Sequence, residues 1–396
     1  MAKIFPNKAG NKMIKHAKDM KNMQAAKIIG TGSYLPGDPV KFDDIQSYLG
    51  ELPDAPKRVT KWVKDMTPVM KEMLAMENYY YAFDGETREF TDDNISMSVK
   101  AAKEALDAAG LEAPDIDLIC YGSAQQNQMP PATVRIQEEL GIPNCAEFSI
   151  YSNCTSAYKS LFIASELIKS GYCKNALVIS SNIVSSSMMP EYYNQEKLNR
   201  ETVFMRWFLC DGAAAMILTS DESEKPGLVV EGSFLESIGC NRESIMHDHR
   251  LARPVSPLEE YETAAHHVQQ SFRNALHSGT FQEASGKSVM FSGMKRMIEK
   301  LDLNLDDVKY LQINLPSKQV TEILLDEVLE FGIDRTALYT KLDKLGYCGP
   351  PMAFIVIDQI MSHEKMKDGD KILSFVTEVS KFMQGGYLLR ADGFST

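Results

Sequence analysis

The sequence has no Cys-x-x-Cys pair, no long apolar run and no surplus of positive charge. Its seven cysteines are scattered at 120, 145, 154, 173, 210, 240 and 348, which excludes a zinc ribbon and a disulfide framework and fits a reducing compartment. No stretch approaches the ~18 apolar residues of a membrane span, and no apolar segment follows the lysine-rich start as a secretory signal would require. A cytoplasmic location with no membrane span is therefore expected. Lys and Arg number 42 against 54 Asp and Glu, a net charge of −12. That balance excludes a general nucleic-acid binder, whose affinity rests on phosphate neutralisation. What remains is an ordinary globular composition, 44% hydrophobic over 396 residues, ample for a large core or two fused halves.

The positive charge that is present gathers at the start. Residues 1–27 hold Lys3, Lys8, Lys12, Lys15, Lys18, Lys21 and Lys27 against one acid, Asp19. This basic extension, assigned to 1–26, reads either as a contact for an acidic partner, such as a carrier protein or a second subunit, or as a solvated arm. The following KIIGTGSY predicts a strand entering a turn at Gly30-Thr31-Gly32. Without a third glycine opening a helix, that turn is a weak phosphate-binding signal. Residues 41–92 are charged and helical in pattern, with a stripe of Trp62, Met66, Met70 and Met73 expected in the core. A helix over Asn94–Ala109 closes at Gly110, and DLICYGS at 117–123 is a buried strand.

This order recurs. Leu111, Pro114, Asp115, Ile116, Leu118 and Ile119 match Leu303, Asp306, Asp307, Val308, Tyr310 and Leu311 at one constant spacing. Glu166, Leu167 and Ile168 match Gln359, Ile360 and Met361 at a spacing one residue longer, each ahead of a strand. An internal repeat of this kind fixes the architecture as two similar α/β halves, 27–220 and 221–396. At the end of the first half, residues 204–219 combine aromatics, an Asp-Gly turn and a strand whose Ala213 to Ala215 permit a close neighbouring layer. The second half carries an insertion around 238–290 with five of the seven histidines, read as a surface element. His247-Asp248-His249 has no third ligand at a recognisable spacing, so no metal is expected there.

Within EFSIYSNCTSAYKSLFIASELIKSG a short apolar run ends at Ser152, and a helical pattern follows with Ala157, Leu161, Ala164, Leu167 and Ile168 on one face. Cys154 thus falls at a strand-to-helix turn. Unpaired N–H groups and the macrodipole there favour a thiolate, making Cys154 a candidate nucleophile; the alternative is a small buried apolar residue. Within the repeat, Cys154 corresponds to Tyr347 in LGYCGPPMAF, and the strand ending at Asn314 corresponds to the one ending at Ser123. Pseudo-twofold packing predicts that Cys154, Asn314 and Tyr347 converge.

The block around Cys154, the segment FMRWFLCDGAAAMIL, the opening KIIGTGSYLPGD and the duplicated halves together resemble the thiolase superfamily, and more narrowly β-ketoacyl-acyl carrier protein synthase III. The resemblance implies a five-layer αβαβα fold, a homodimer or heterodimer, and Cys154 as the residue that accepts an acyl group from a thioester. It implies no cofactor beyond the substrate itself, acyl-coenzyme A or a phosphopantetheinyl acyl carrier protein. Met129, in NQMPPATV, sits where the family places an apolar residue that crosses the dimer interface into the partner's acyl pocket. The chain departs from the family at two positions: Asn314 replaces the family histidine and Tyr347 the family asparagine. Both still donate a hydrogen bond, but neither carries a positive charge near neutral pH, so efficient decarboxylative condensation is not expected.

Cys154 acylation asks less, since its own N–H and one from a loop after Phe375 are expected to hold the oxyanion. The roles expected are nucleophile for Cys154, oxyanion or acceptor-orienting donor for Asn314, and donor or weak acid/base for Tyr347. Two alternatives stand beside this acyltransferase: a non-catalytic subunit paired with an active ketosynthase, and a site in which His247 or His249 replaces the missing histidine.

Overall fold

The computed structural model describes residues 25–125, 129–220, 222–248, 256–264, 266–276 and 280–394. All but the end of the basic extension lies outside them. Lys27 does not behave as part of a solvated arm: it is 1% exposed and pairs with Asp392 at 2.6 Å.

Nine strands carry the fold. In the first half these are β1 (Ala26–Tyr34), β2 (Leu118–Ser123), β3 (Ala146–Tyr151), β4 (Ala176–Asn182) and β5 (Gly212–Ser220); in the second, β6 (Gly227–Ser237), β7 (Val308–Ile313), β8 (Lys371–Glu378) and β9 (Met383–Asp392). Their hydrogen-bonded order is β7-β8-β9-β6-β1-β5-β4-β2-β3. The duplication is visible in the ladders. β1 runs antiparallel to β5, β5 antiparallel to β4, and β4 parallel to β2. Likewise β6 runs antiparallel to β9, β9 antiparallel to β8, and β8 parallel to β7. Lys27 and Ile28, paired with Val229 and Leu228, join the two halves.

The longer helices are α1 (Lys57–Leu74), α2 (Asn94–Ala109), α3 (Ala132–Leu140), α4 (Ser156–Lys169), α5 (Val289–Leu301), α6 (Lys318–Val328) and α7 (Met352–His363). Their placement gives the five layers. Helices α4 and α7 share the largest core with the inner faces of both sheets. Helix α2 covers the outer face of the first half, and α5 with α6 the outer face of the second. The middle position explains the composition of α7, whose residues from Met352 to Asp358 are all buried; a helix apolar on every side must lie inside.

Local chemistry supports several expected boundaries. Asp93 caps α2 through Ile95 N and Ser96 N, Ser96 returns the bond to Asp93 N, and Gly110 ends the helix at φ 59°. In α1, Met70 is buried and Trp62, Met66 and Met73 pack against the core. One expectation fails: Gly30-Thr31-Gly32 is not a turn, because β1 continues through it to Tyr34. A Cβ on either glycine would lie 2.4 Å from a carbonyl of α2, so these residues let the helix sit directly on the strand.

Segment 238–290 is also more than a surface insertion. Ile245 is fully buried with Phe382 and Val289, and Phe272 packs on Trp62 and Phe204. His267, 2% exposed, stacks on Tyr193 at 4.2 Å, and burial, then His266, lowers its pKa to about 3. It is a neutral packing residue.

Candidate active site

Cys154 lies in the turn between β3 and α4. Tyr347 lies in the matching turn before α7, and Asn314 immediately follows β7, its N–H bonded to Phe375 O at 3.2 Å. Cys154 and Tyr347 come together, and Asn314 joins them through Tyr158. Tyr347 Oη donates toward the Cys154 sulfur. Asn314 approaches the hydroxyl of Tyr158, which also neighbours Cys154. Tyr347 and Asn314 are each 3% exposed, and Cys154 is half-buried as a residue while its thiol is enclosed.

Asn314 is incompletely bonded. Both its Oδ1 and Nδ2 are buried and close no hydrogen bond, although a buried polar atom left unpaired costs about 1–3 kcal/mol. An amide kept in that condition suits a carbonyl oxygen arriving with substrate.

Sequence reasoning missed the group that dominates the electrostatics. Glu378, the last residue of β8, is 1% exposed. Its Oε2 accepts from Thr155 N at 2.9 Å, Thr155 Oγ1 at 2.6 Å and Ser152 Oγ at 3.0 Å, and its Oε1 from Ser380 Oγ. It therefore clasps the turn on both sides of Cys154. Lys159 Nζ donates to Ser152 Oγ at 2.7 Å, and burial lowers its pKa against the opposing pull of Glu378. A carboxylate at the inner end of the buried strand KILSFVTE was the available signal.

Glu378 overturns the expected thiolate. Burial first, and then its negative charge, push the Cys154 thiol up to about 12, against the weaker opposing effects of Tyr347 and the residue's own N–H. The helix cannot offset this. Its first residue is Ser156, and the Thr155 N–H that would face an anion already serves Glu378. Cys154 is thus a neutral thiol at pH 7.

Two further expectations change. Tyr347 is not a weak acid/base, because burial and the adjacent Cys154 hold its phenol well above the usual value; it remains a donor. No loop follows Phe375, since β8 continues to Glu378 in ladder with β9 and the turn comes only afterwards. The expected second oxyanion N–H is therefore not placed there.

Among the described residues the side chains seen to act on the thiol are Glu378 and Tyr347, and His247 forms a two-residue ladder with Gln269. Its neighbour Met246 touches the site through Asn153 Nδ2, 3.1 Å from Sδ. His249 lies outside the described residues. Among the described residues no His/Cys/Asp/Glu group could hold a metal ion, and no helix is long and apolar enough to cross a membrane. Met129 is 96% exposed and not part of its own chain's cluster.

The fold and sequence have counterparts in known proteins. The family model for 3-oxoacyl-[acyl-carrier-protein (ACP)] synthase III matches residues 148–238, which include Cys154. A β-ketoacyl-[acyl-carrier-protein] synthase III of Clostridium perfringens (strain SM101 / Type A) is 26% identical over 353 residues, 89% of this chain and 95% of that protein. Among solved structures, AbyA1, described as a tetronic acid condensing enzyme, superposes with a TM-score of 0.71 at 18% identity over 92% of this chain and 99% of that one. The 3-oxoacyl-[acyl-carrier-protein] synthase III of Aquifex aeolicus VF5 gives 0.65 at 20% identity over the same shares.

Proposed function

For a chain with the thiolase fold and a ketosynthase III-like sequence, we propose an acyltransferase that works by ping-pong chemistry through Cys154. The acyl group arrives as a coenzyme A or carrier-protein thioester and forms a new thioester with Cys154. It then passes to a second acceptor, in fatty-acid-like or secondary-metabolite biosynthesis, by carbon–carbon condensation or by ester or amide formation. Tyr347 donates to the sulfur, and Asn314 Nδ2 is the donor to the developing oxyanion.

The observation that carries this reading is Cys154 at the start of α4 coupled to Tyr347 and, through Tyr158, to the unsatisfied Asn314 amide. The exposed edge of the sheet supports a dimer: β3 is the last strand, and Phe148 and Tyr151 on it are 42% and 73% exposed. In that dimer, with a second copy or a related subunit, Met129 reaches into the partner's acyl pocket.

Incubation with acyl-coenzyme A thioesters of graded length, followed by intact-mass measurement, tests the reading. One acyl adduct per chain is expected, and none in Cys154→Ala. The elevated thiol pKa favours a second reading, a non-catalytic subunit of an active ketosynthase; absence of an adduct at every chain length would select it.

A further inference from the structure

Glu378 is more than the acylation step needs. A helix-activated thiol works best with bare N–H groups at its helix start, yet here a carboxylate consumes Thr155 N–H and its charge acts on the sulfur. A negative charge so placed opposes both a malonyl carboxylate and the enolate that follows its loss. No positive charge stands at positions 314 or 347; the Lys159 ammonium, bonded to Ser152 Oγ, is the cation that interacts with Glu378.

The same carboxylate suits another acceptor. Three of its donors converge on Oε2, leaving Oε1 with Ser380 alone among its described partners. A carboxylate acts as a general base toward an O–H or N–H nucleophile because that proton becomes strongly acidic as the new bond forms. From the clasp around Cys154 we propose that Glu378 is the general base of the second half-reaction, and that the acceptor is a hydroxyl or amine compound rather than a malonyl thioester. This rests on the acyl-Cys154 reading above.

The step balances without an oxidant or reductant. The acceptor oxygen or nitrogen bonds to the acyl carbon while its proton passes to Glu378, and the carbonyl electrons move to the oxygen facing Asn314 Nδ2. The carbonyl then re-forms, the carbon–sulfur bond breaks, and Sγ takes the proton back from Glu378. Ester or amide leaves, and thiol and carboxylate are restored. Cys154 holds its proton firmly, which favours departure of sulfur as a thiol. Ser152 and Lys159 are positioning residues in this scheme, since they act through the carboxylate.

The test follows the lifetime of the acyl adduct by intact mass in wild type and Glu378→Gln, with water, ethanolamine or malonyl-coenzyme A as acceptor. The expected result is that discharge of the adduct by water and ethanolamine is slowed roughly 100-fold in the variant. Glu378→Asp, which keeps the charge but withdraws it, should also lengthen the lifetime, and decides the matter if the glutamine variant does not fold. Equal lifetimes in wild type and variants, or discharge by malonyl-coenzyme A with release of carbon dioxide faster than by ethanolamine, would overturn the proposal. Failure of the wild type to form any adduct would instead overturn the acyltransferase reading itself.

Discussion

The two turns that open the central helices occupy matching places in the two halves, and they are held in opposite ways. Before α4, residues 152–155 contain no glycine; a carboxylate from the other half binds them through Ser152 and Thr155. Before α7, backbone geometry does the holding. Gly346 sits at φ 65° and ψ −158° and Gly349 at φ 78°, Tyr347 O accepts from Cys210 N, and Cys348 O from Asn182 Nδ2. Duplication thus supplied one scaffold twice, after which one copy became a turn held by a charge and the other a turn held by glycine geometry that carries a donor. Chemistry resides in the difference between them.

Four measurements would break or sharpen that contrast. The largest effect belongs to the thiol. With its pKa pushed up to about 12, roughly 10⁻⁴ of Cys154 is thiolate at pH 8, and this fraction grows about tenfold per pH unit. Iodoacetamide labelling should therefore accelerate about 10³-fold from pH 7 to 10 with no plateau; a plateau near pH 8 would mean that the helix start still activates the sulfur. Next, Tyr347→Phe removes the donor from the buried side, and acyl-adduct formation should fall by about 10²-fold. An unchanged rate would leave that turn with packing alone.

Gly346→Ala comes third. Its backbone lies in a region open essentially to glycine only, and the new Cβ would stand 2.8 Å from Asn78 O and 2.9 Å from Cys210 Sγ. A loss of about 2 kcal/mol is expected in denaturant unfolding. The smallest effect is set for Asn153→Ala in the charged turn, whose side chain reaches only Met246 Sδ; a change within about 0.5 kcal/mol is expected. Equal costs at 153 and 346 would erase the distinction.

Periodicity and repetition made the layers legible before any coordinates. Asn94–Ala109 could be placed to the residue because its cap, its apolar face and its closing glycine are all local. The convergence of Cys154, Asn314 and Tyr347 was legible because a duplicated chain encodes its own symmetry. Electrostatics were not legible in this way. Glu378 reaches Thr155 across more than two hundred residues, and nothing in the neighbourhood of Cys154 announces a carboxylate. Gly30 and Gly32 misled for the same reason, since the backbone they admit belongs to a helix some seventy residues onward.

Gly122, in β2, adds a last consequence. A methyl group there would fall 2.4 Å from Ser156 O and 2.5 Å from Ser160 Oγ, so the first turn of the nucleophile's helix rests on bare main chain. The sulfur's height above β2 is thus gauged by an absent side chain beneath it, as a shim sets the height of a bearing. Thickening that shim by one carbon would lift the reacting atom while both sheets kept their strands in register.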